Sequence, residues 1–173
     1  MTNGKSAVQN RRVDPPGGGG TGMRTKTDIR FTVEASPAHV LDALAAIEML
    51  PEWSMYQDAR VATRDEYGRP HRVYVTADVL GSSDLQVLEY EWTENRSSWQ
   101  VVDSSRGIGG GGWFEVSEGA GGTDVWYHSE LHSRLPLPGL LMKRTVQRWN
   151  ETVVQNFIEF AESYPESESF HSV

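Results

Sequence analysis

From Ile29 to Glu34 the chain alternates apolar Ile29, Phe31 and Val33 with polar Arg30, Thr32 and Glu34. A period of two marks a strand with one buried face. Ser36-Pro37 follows, a helix-capping residue before a proline at the first helical position. Val40, Leu41, Leu44 and Ile47 then recur at helical spacing. Leu50-Pro51-Glu52-Trp53 breaks that helix and starts a second short helix or turn. Strand patterns follow over 59–65, 72–80, 85–92, 98–103, 113–117 and 124–134, separated by short turns. Connections this short favour an antiparallel meander. The last pattern has a different period. Between Leu135 and Tyr164, residues Leu140, Leu141, Val146, Trp149, Val153, Phe157 and Phe160 recur in steps of three and four, and Val154 and Ile158 widen the strip. This predicts one long helix whose broad apolar face needs a broad partner. The expected fold class is α+β: a curved antiparallel sheet of about seven strands, in the order β-α-α-β6-α, wrapped on a long C-terminal helix.

Composition narrows the function classes. At 173 residues the chain supports one domain with a sizeable core. A net charge of −8 argues against nucleic acid as a partner. There is no cysteine, so disulfide and thiolate chemistry are excluded. No apolar run is long enough for stable membrane insertion, and the expected location is cytoplasmic. Residues 1–25 are rich in Gly and Pro and lack periodicity, so a disordered tail is expected there, with the domain over 26–164 and a second loose tail over 165–173.

Two local features carry ambiguity. In 85–92, Leu85 and Val87 compete with Leu88, Tyr90 and Trp92 for the inner face; the second set keeps Glu89 and Glu91 in water. In 109–112, four successive glycines remove side-chain volume from a strand. Either the strand bends or bulges there, which is the plainer reading, or a ligand approaches the backbone closely.

The order of elements, together with Val33-Glu34-Ala35-Ser36-Pro37, Leu50-Pro51-Glu52-Trp53, Asp65-Glu66-Tyr67-Gly68-Arg69, Gly122-Thr123-Asp124-Val125 and Leu135-Pro136-Leu137-Pro138-Gly139, resembles the helix-grip fold of the START-like (SRPBCC) superfamily. That group includes polyketide cyclases/dehydrases, coenzyme-Q-binding proteins and the birch-pollen-allergen proteins. The resemblance implies a cavity between sheet and C-terminal helix. Carried over by position, Phe31, Trp53, Val73, Val75, Ala77, Tyr90, Phe114, Tyr127 and Leu131 line it from the sheet side, with Leu88, Val116 and Val125 on the same face. Leu141, Thr145, Trp149 and Val153 line it from the helix. The fold hosts carriers, enzymes and regulatory proteins, so it does not define a function.

Candidate chemistry is sparse. His128, Glu130 and His132 share one face of a strand and could suit zinc, but an exposed polar row is the simpler reading. Trp113 and Trp126 on that outer face suggest a surface for a weak homodimer, unless side chains such as Arg30 cover them. Trp53 is either a gate or a core plug. The inward set holds almost no acid or base, His39 is expected in water, and no nucleophile triad or phosphate loop can be assembled. Hence no catalytic residue, metal or cofactor is expected. The expected function is binding of a small apolar or amphipathic ligand such as a lipid, quinone or polyketide-like molecule. The alternatives are an aromatase/cyclase-type enzyme and a regulatory protein with a filled core.

Overall fold

The computed structural model describes residues 9–10, 23–79, 81–134 and 139–166, with side chains from 24 onward except those of 139–142. Seven long strands form one antiparallel sheet with a two-residue strand at its edge. They are β1 (Gln9–Asn10), β2 (Met23–Val33), β3 (Tyr56–Arg64), β4 (Pro70–Val79), β5 (Ser82–Trp92), β6 (Arg96–Ser104), β7 (Ile108–Gly119) and β8 (Gly122–Ser133). The spatial order is β1-β2-β8-β7-β6-β5-β4-β3. β3 to β8 are a meander, and β8 returns to pair with β2 along its whole length. The helices α1 (Pro37–Ala45) and α2 (Leu50–Trp53), with a 3₁₀ turn between them, carry the chain from β2 to the far edge at β3. The helix α3 (Gly139–Ser163) lies across the inner face of the sheet. This is the expected α+β, helix-grip arrangement.

The sequence signals act locally as physics requires. Ser36 accepts a hydrogen bond from the His39 amide at 3.2 Å, capping α1. Asp65 Oδ1 accepts from the amides of Tyr67 and Arg69, both at 2.9 Å, and so closes the β3–β4 hairpin. His39 is not free in water: its Nε2 lies 2.8 Å from the Ala161 carbonyl. A carbonyl only accepts, so this nitrogen carries the proton and ties α1 to the end of α3. Thr123 donates to the Ala35 carbonyl at 2.6 Å, joining two of the motifs that carry the family resemblance. Leu135 to Pro138, in another of those motifs, lie outside the described residues.

Three differences from the pattern-based reading have clear causes. β7 begins at Ile108, so the glycine run is strand; backbone hydrogen bonds to β8 hold it without side chains. β2 begins at Met23, ahead of the alternation, because β8 offers it a partner throughout. The buried stripe of α3 runs Val146, Asn150, Val154, Phe157, Ala161, leaving Trp149, Val153 and Ile158 only half-buried. A polar Asn at the centre of the stripe hid its axis. Among the described residues no helix is long and apolar enough to cross a membrane.

Candidate functional site

The core beneath α3 is divided. The larger cluster holds Phe31, Val33, Val40, Leu41, Leu88, Phe114, Val125 and Phe157, and is solid. A smaller cluster of Ala77, Val79 and Ile108 stands apart, and Tyr56 packs against both. A cavity of about 140 Å³ lies under the first half of α3, with walls drawn from both clusters.

Of the positions expected to face it, Trp53, Ala77, Tyr90, Phe114, Tyr127, Leu131, Trp149 and Val153 line the cavity. Phe31, Val73 and Val75 point inward but are packed into the solid cluster, away from the space. Thr145 is half-buried on α3 and does not line it. The Leu141 side chain lies outside the described residues. The chosen phase of β5 holds: Leu88 and Tyr90 are buried while Leu85 is 64% exposed. Trp53 is an end wall of the cavity, packed on Phe157 with ring centres 4.8 Å apart and on Phe114 at 6.0 Å.

Sequence reasoning missed several wall residues: Tyr56, Gln86, Ser97, Trp99, Ile108 and Asn150. Trp99 alternates with Ser97 and Val101 along β6, a signal that was available. Asn150 sits in an otherwise apolar stripe and Gln86 follows Asp84 on its face of β5, and in both places polarity argues against an inward position.

These polar groups are organised. Tyr127 donates to Asn150 Oδ1 at 2.8 Å, and Asn150 Nδ2 donates to Thr27 Oγ1 at 3.0 Å, linking β8, α3 and β2. Burial pushes the Tyr127 phenol up to about 12. Burial also raises Tyr56 and Tyr90 far above the usual phenol range, with neighbouring phenols adding to the shift. All three stay neutral at physiological pH and keep their proton, which Tyr127 donates to Asn150 in a hydrogen bond. Asp84, with 0% exposure, lies behind Gln86. Burial would raise its carboxyl, but hydrogen bonds from Gln86, Ser104, Ser105 and the Arg106 amide outweigh that and hold it below the usual range.

The glycine run separates this cavity from a groove on the opposite face. β6 pairs with β7 only from Gly111 onward, so the two strands part at this point. A Cβ on Gly110, whose φ is +133°, would come within 2.0 Å of the Glu130 carbonyl. A Cβ on Gly112 would meet the His128 carbonyl at 2.1 Å and the Trp99 ring at 2.8 Å. The glycines therefore answer to backbone geometry and to the Trp99 indole, and the register with β8 runs through them without a bulge. On the outer face the missing side chains leave a groove of about 510 Å³, bordered by Arg24, Glu89, Glu91, Trp113, His128 and Glu130.

The outer polar row is not open to water as expected. His128 is 7% exposed, stacked on Trp113 with ring centres 4.0 Å apart. Its Nδ1 lies 2.8 Å from Asp28 Oδ1 and its Nε2 3.2 Å from Glu130 Oε1. Asp28 comes from β2, a strand too distant in sequence for the pattern to reveal. Burial would raise the Glu130 carboxyl, but hydrogen bonds from His128 and Lys26 leave it lowered. Both imidazole nitrogens thus face carboxylates, and among the described residues no group of three or more such side chains is arranged to hold a metal ion. Trp126 and Trp113 form an edge-to-face pair at 5.7 Å. Arg30 covers Trp126 at 4.5 Å and Arg96 covers Trp113 at 4.9 Å, with Arg96 bound to Glu115. Neither tryptophan is a fully exposed apolar surface.

A long helix gripped by a curved antiparallel sheet is the START-like fold. Solved structures show the same fold. A START superfamily protein from Mycobacterium smegmatis superposes with a TM-score of 0.69 at 17% identity, covering 80% of this chain and 97% of that one. A protein from Thermus thermophilus gives 0.62 at 20% identity, covering 81% and 96%. The ZhuI aromatase/cyclase of Streptomyces sp. R1128 gives 0.62 at 9% identity, covering 82% and 92%. No curated protein matches the sequence. The family described as polyketide cyclase/dehydrase and lipid transport matches residues 11–160, and the chain belongs to it.

Proposed function

We propose that the protein binds a small amphipathic molecule in the cavity under the first half of α3. The observation that carries this reading is the division of the core: apolar and aromatic walls from both clusters enclose space in place of meeting. Natural cores are packed to crystal density, so such space is costly unless something uses it. A volume of 140 Å³ matches a single ring, since a cavity of about 150 Å³ suffices for benzene. Larger lipid, quinone or polyketide-like ligands require the half-buried Trp149 and Val153 to move aside, because drug-sized molecules occupy roughly 300–1,000 Å³. Affinity comes from burying ligand carbon, at about 25 cal/mol per Å² before binding costs.

Binding is favoured over catalysis by the ionisable groups at hand. The one carboxylate among the described wall residues, Glu130, is engaged with Lys26 and His128. The phenols are held too far above neutrality to serve as bases. Native mass spectrometry of gently purified protein, with thermal shifts against a panel of neutral single-ring compounds, quinones and lipids, tests the proposal. Stabilisation by one class is the expected result. No adduct and no shift across the panel would remove the binding reading.

A further inference from the structure

We propose that Gln86, with the Tyr56 and Tyr90 phenols that line the same cavity, forms a hydroxyl-recognition subsite, and that the cavity selects neutral hydroxylated ligands over the matching ethers and carboxylates. This rests on the cavity reading above and specifies its ligand chemistry.

Asp84 and Gln86 follow one another on the inner face of β5. Asp84 receives the Ser104 and Ser105 hydroxyls at 2.9 Å and the Arg106 amide at 3.0 Å. An ionised carboxylate held this way only accepts. What meets it from Gln86 must therefore be the amide nitrogen, at 2.7 Å. Committing the nitrogen to Asp84 sets the rotation of the amide and turns its carbonyl oxygen away from the carboxylate. Gln86 is 6% exposed and lines the cavity, and among the described residues nothing donates to that oxygen. An acceptor on the cavity wall with no protein donor offers a place for a ligand donor.

A ligand hydroxyl supplies the donor, and its own oxygen then needs one in return. Tyr56 and Tyr90 also line the cavity, and among the described residues no hydrogen bond engages either phenol. The strand register brings them to the same region. Tyr56 pairs with Ala77, Ala77 pairs with Asp84, and Tyr90 lies on the same face of β5 as Gln86. An acceptor and two donors on the walls of one cavity are the complement of an alcohol or phenol. An ether cannot donate to Gln86. A carboxylate would bring negative charge close to Asp84, with no Lys or Arg among the described wall residues to balance it.

Calorimetric titration of the full chain with 4-ethylphenol, 4-ethylanisole and 4-ethylbenzoate is the test. The phenol is expected to bind about tenfold tighter than the anisole, with the benzoate weaker than both. In Gln86→Leu the phenol and anisole are expected to converge. Tyr90→Phe, which keeps the Asp84–Gln86 pair, is expected to weaken both ligands, because an ether oxygen also accepts from a phenol, and to leave the preference for 4-ethylphenol in place. Equal binding of phenol and anisole to the wild type overturns the subsite while leaving the cavity reading intact. A preference that persists in Gln86→Leu, or a Tyr90→Phe variant that binds both ligands as tightly as the wild type, also overturns it. Failure of all three compounds to bind the wild type overturns both proposals.

Discussion

Under the second half of α3, Phe157 meets Trp53 at 4.8 Å, Phe114 at 5.3 Å and Phe31 at 6.3 Å between ring centres, and the core is continuous. Under the first half, Trp149, Asn150 and Val153 share walls with Ala77, Gln86 and Ser97 around open space. One helix and one sheet thus build a packed end and a hollow end. The difference lies in the side chains. The packed end is filled by rings that meet around Phe157, whereas at the hollow end small residues such as Ala77 and polar groups such as Gln86, Ser97 and Asn150 stand among the aromatic walls. Stability is concentrated at the first end and recognition, on the present proposal, at the second.

Substitutions break this contrast in a definite order. Phe157→Ala opens the packed end and is expected to cost about 3–5 kcal/mol in urea unfolding. Asp84→Ala strips the acceptor from Gln86, Ser104, Ser105 and the Arg106 amide. It is expected to cost about 3 kcal/mol, although it lies at the hollow end. Gly112→Ala forces a methyl group against the His128 carbonyl and the Trp99 ring, for an expected loss of about 1–3 kcal/mol. Tyr127→Phe leaves Asn150 Oδ1 without its donor, for about 1 kcal/mol. The loss from Val153→Ala, at a half-buried cavity wall, should be smaller than that from Phe157→Ala by a wide margin. Comparable losses at positions 153 and 157 would show that the two ends are equally packed.

Acid sharpens the same comparison. The Asp84 and Glu130 carboxyls are both lowered in the folded protein. Each therefore adds stability above its unfolded value, about pH 4, and loses that contribution as pH falls through the lowered folded value. Unfolding midpoints measured between pH 6 and pH 2 should fall through this window, and Asp84→Asn should flatten part of the fall. An unchanged pH profile in Asp84→Asn would show that its hydrogen bonds do not favour the ionised form.

Much of the architecture was legible because it is written in period. Ile29, Phe31 and Val33 announce a half-buried strand, and Ser36-Pro37 announces the start of α1. The broad strip of α3 demands the sheet that grips it. The inner walls of the hollow end were less legible because they break those periods. On β5 the inner face reads Asp84, Gln86, Leu88, Tyr90, and its outer neighbour Leu85 is the exposed one. A polar pair inside and a leucine outside defeat alternation unless the hydrogen bonds from Ser104, Ser105 and Arg106 are known. Asn150 misled in the same way on α3. His128 was read as solvated because its covers, Asp28 and Trp113, reach it from other strands.

The central claim is that the hollow end of the core, and not the groove outside the sheet, takes up the ligand. The direct measurement is calorimetric titration of 4-ethylphenol into the wild type and into Ala77→Met, whose added side chain fills the inner cavity without touching the outer face. The account predicts saturable binding to the wild type and its loss in a folded Ala77→Met. Equal binding to both would place the ligand elsewhere and contradict the account.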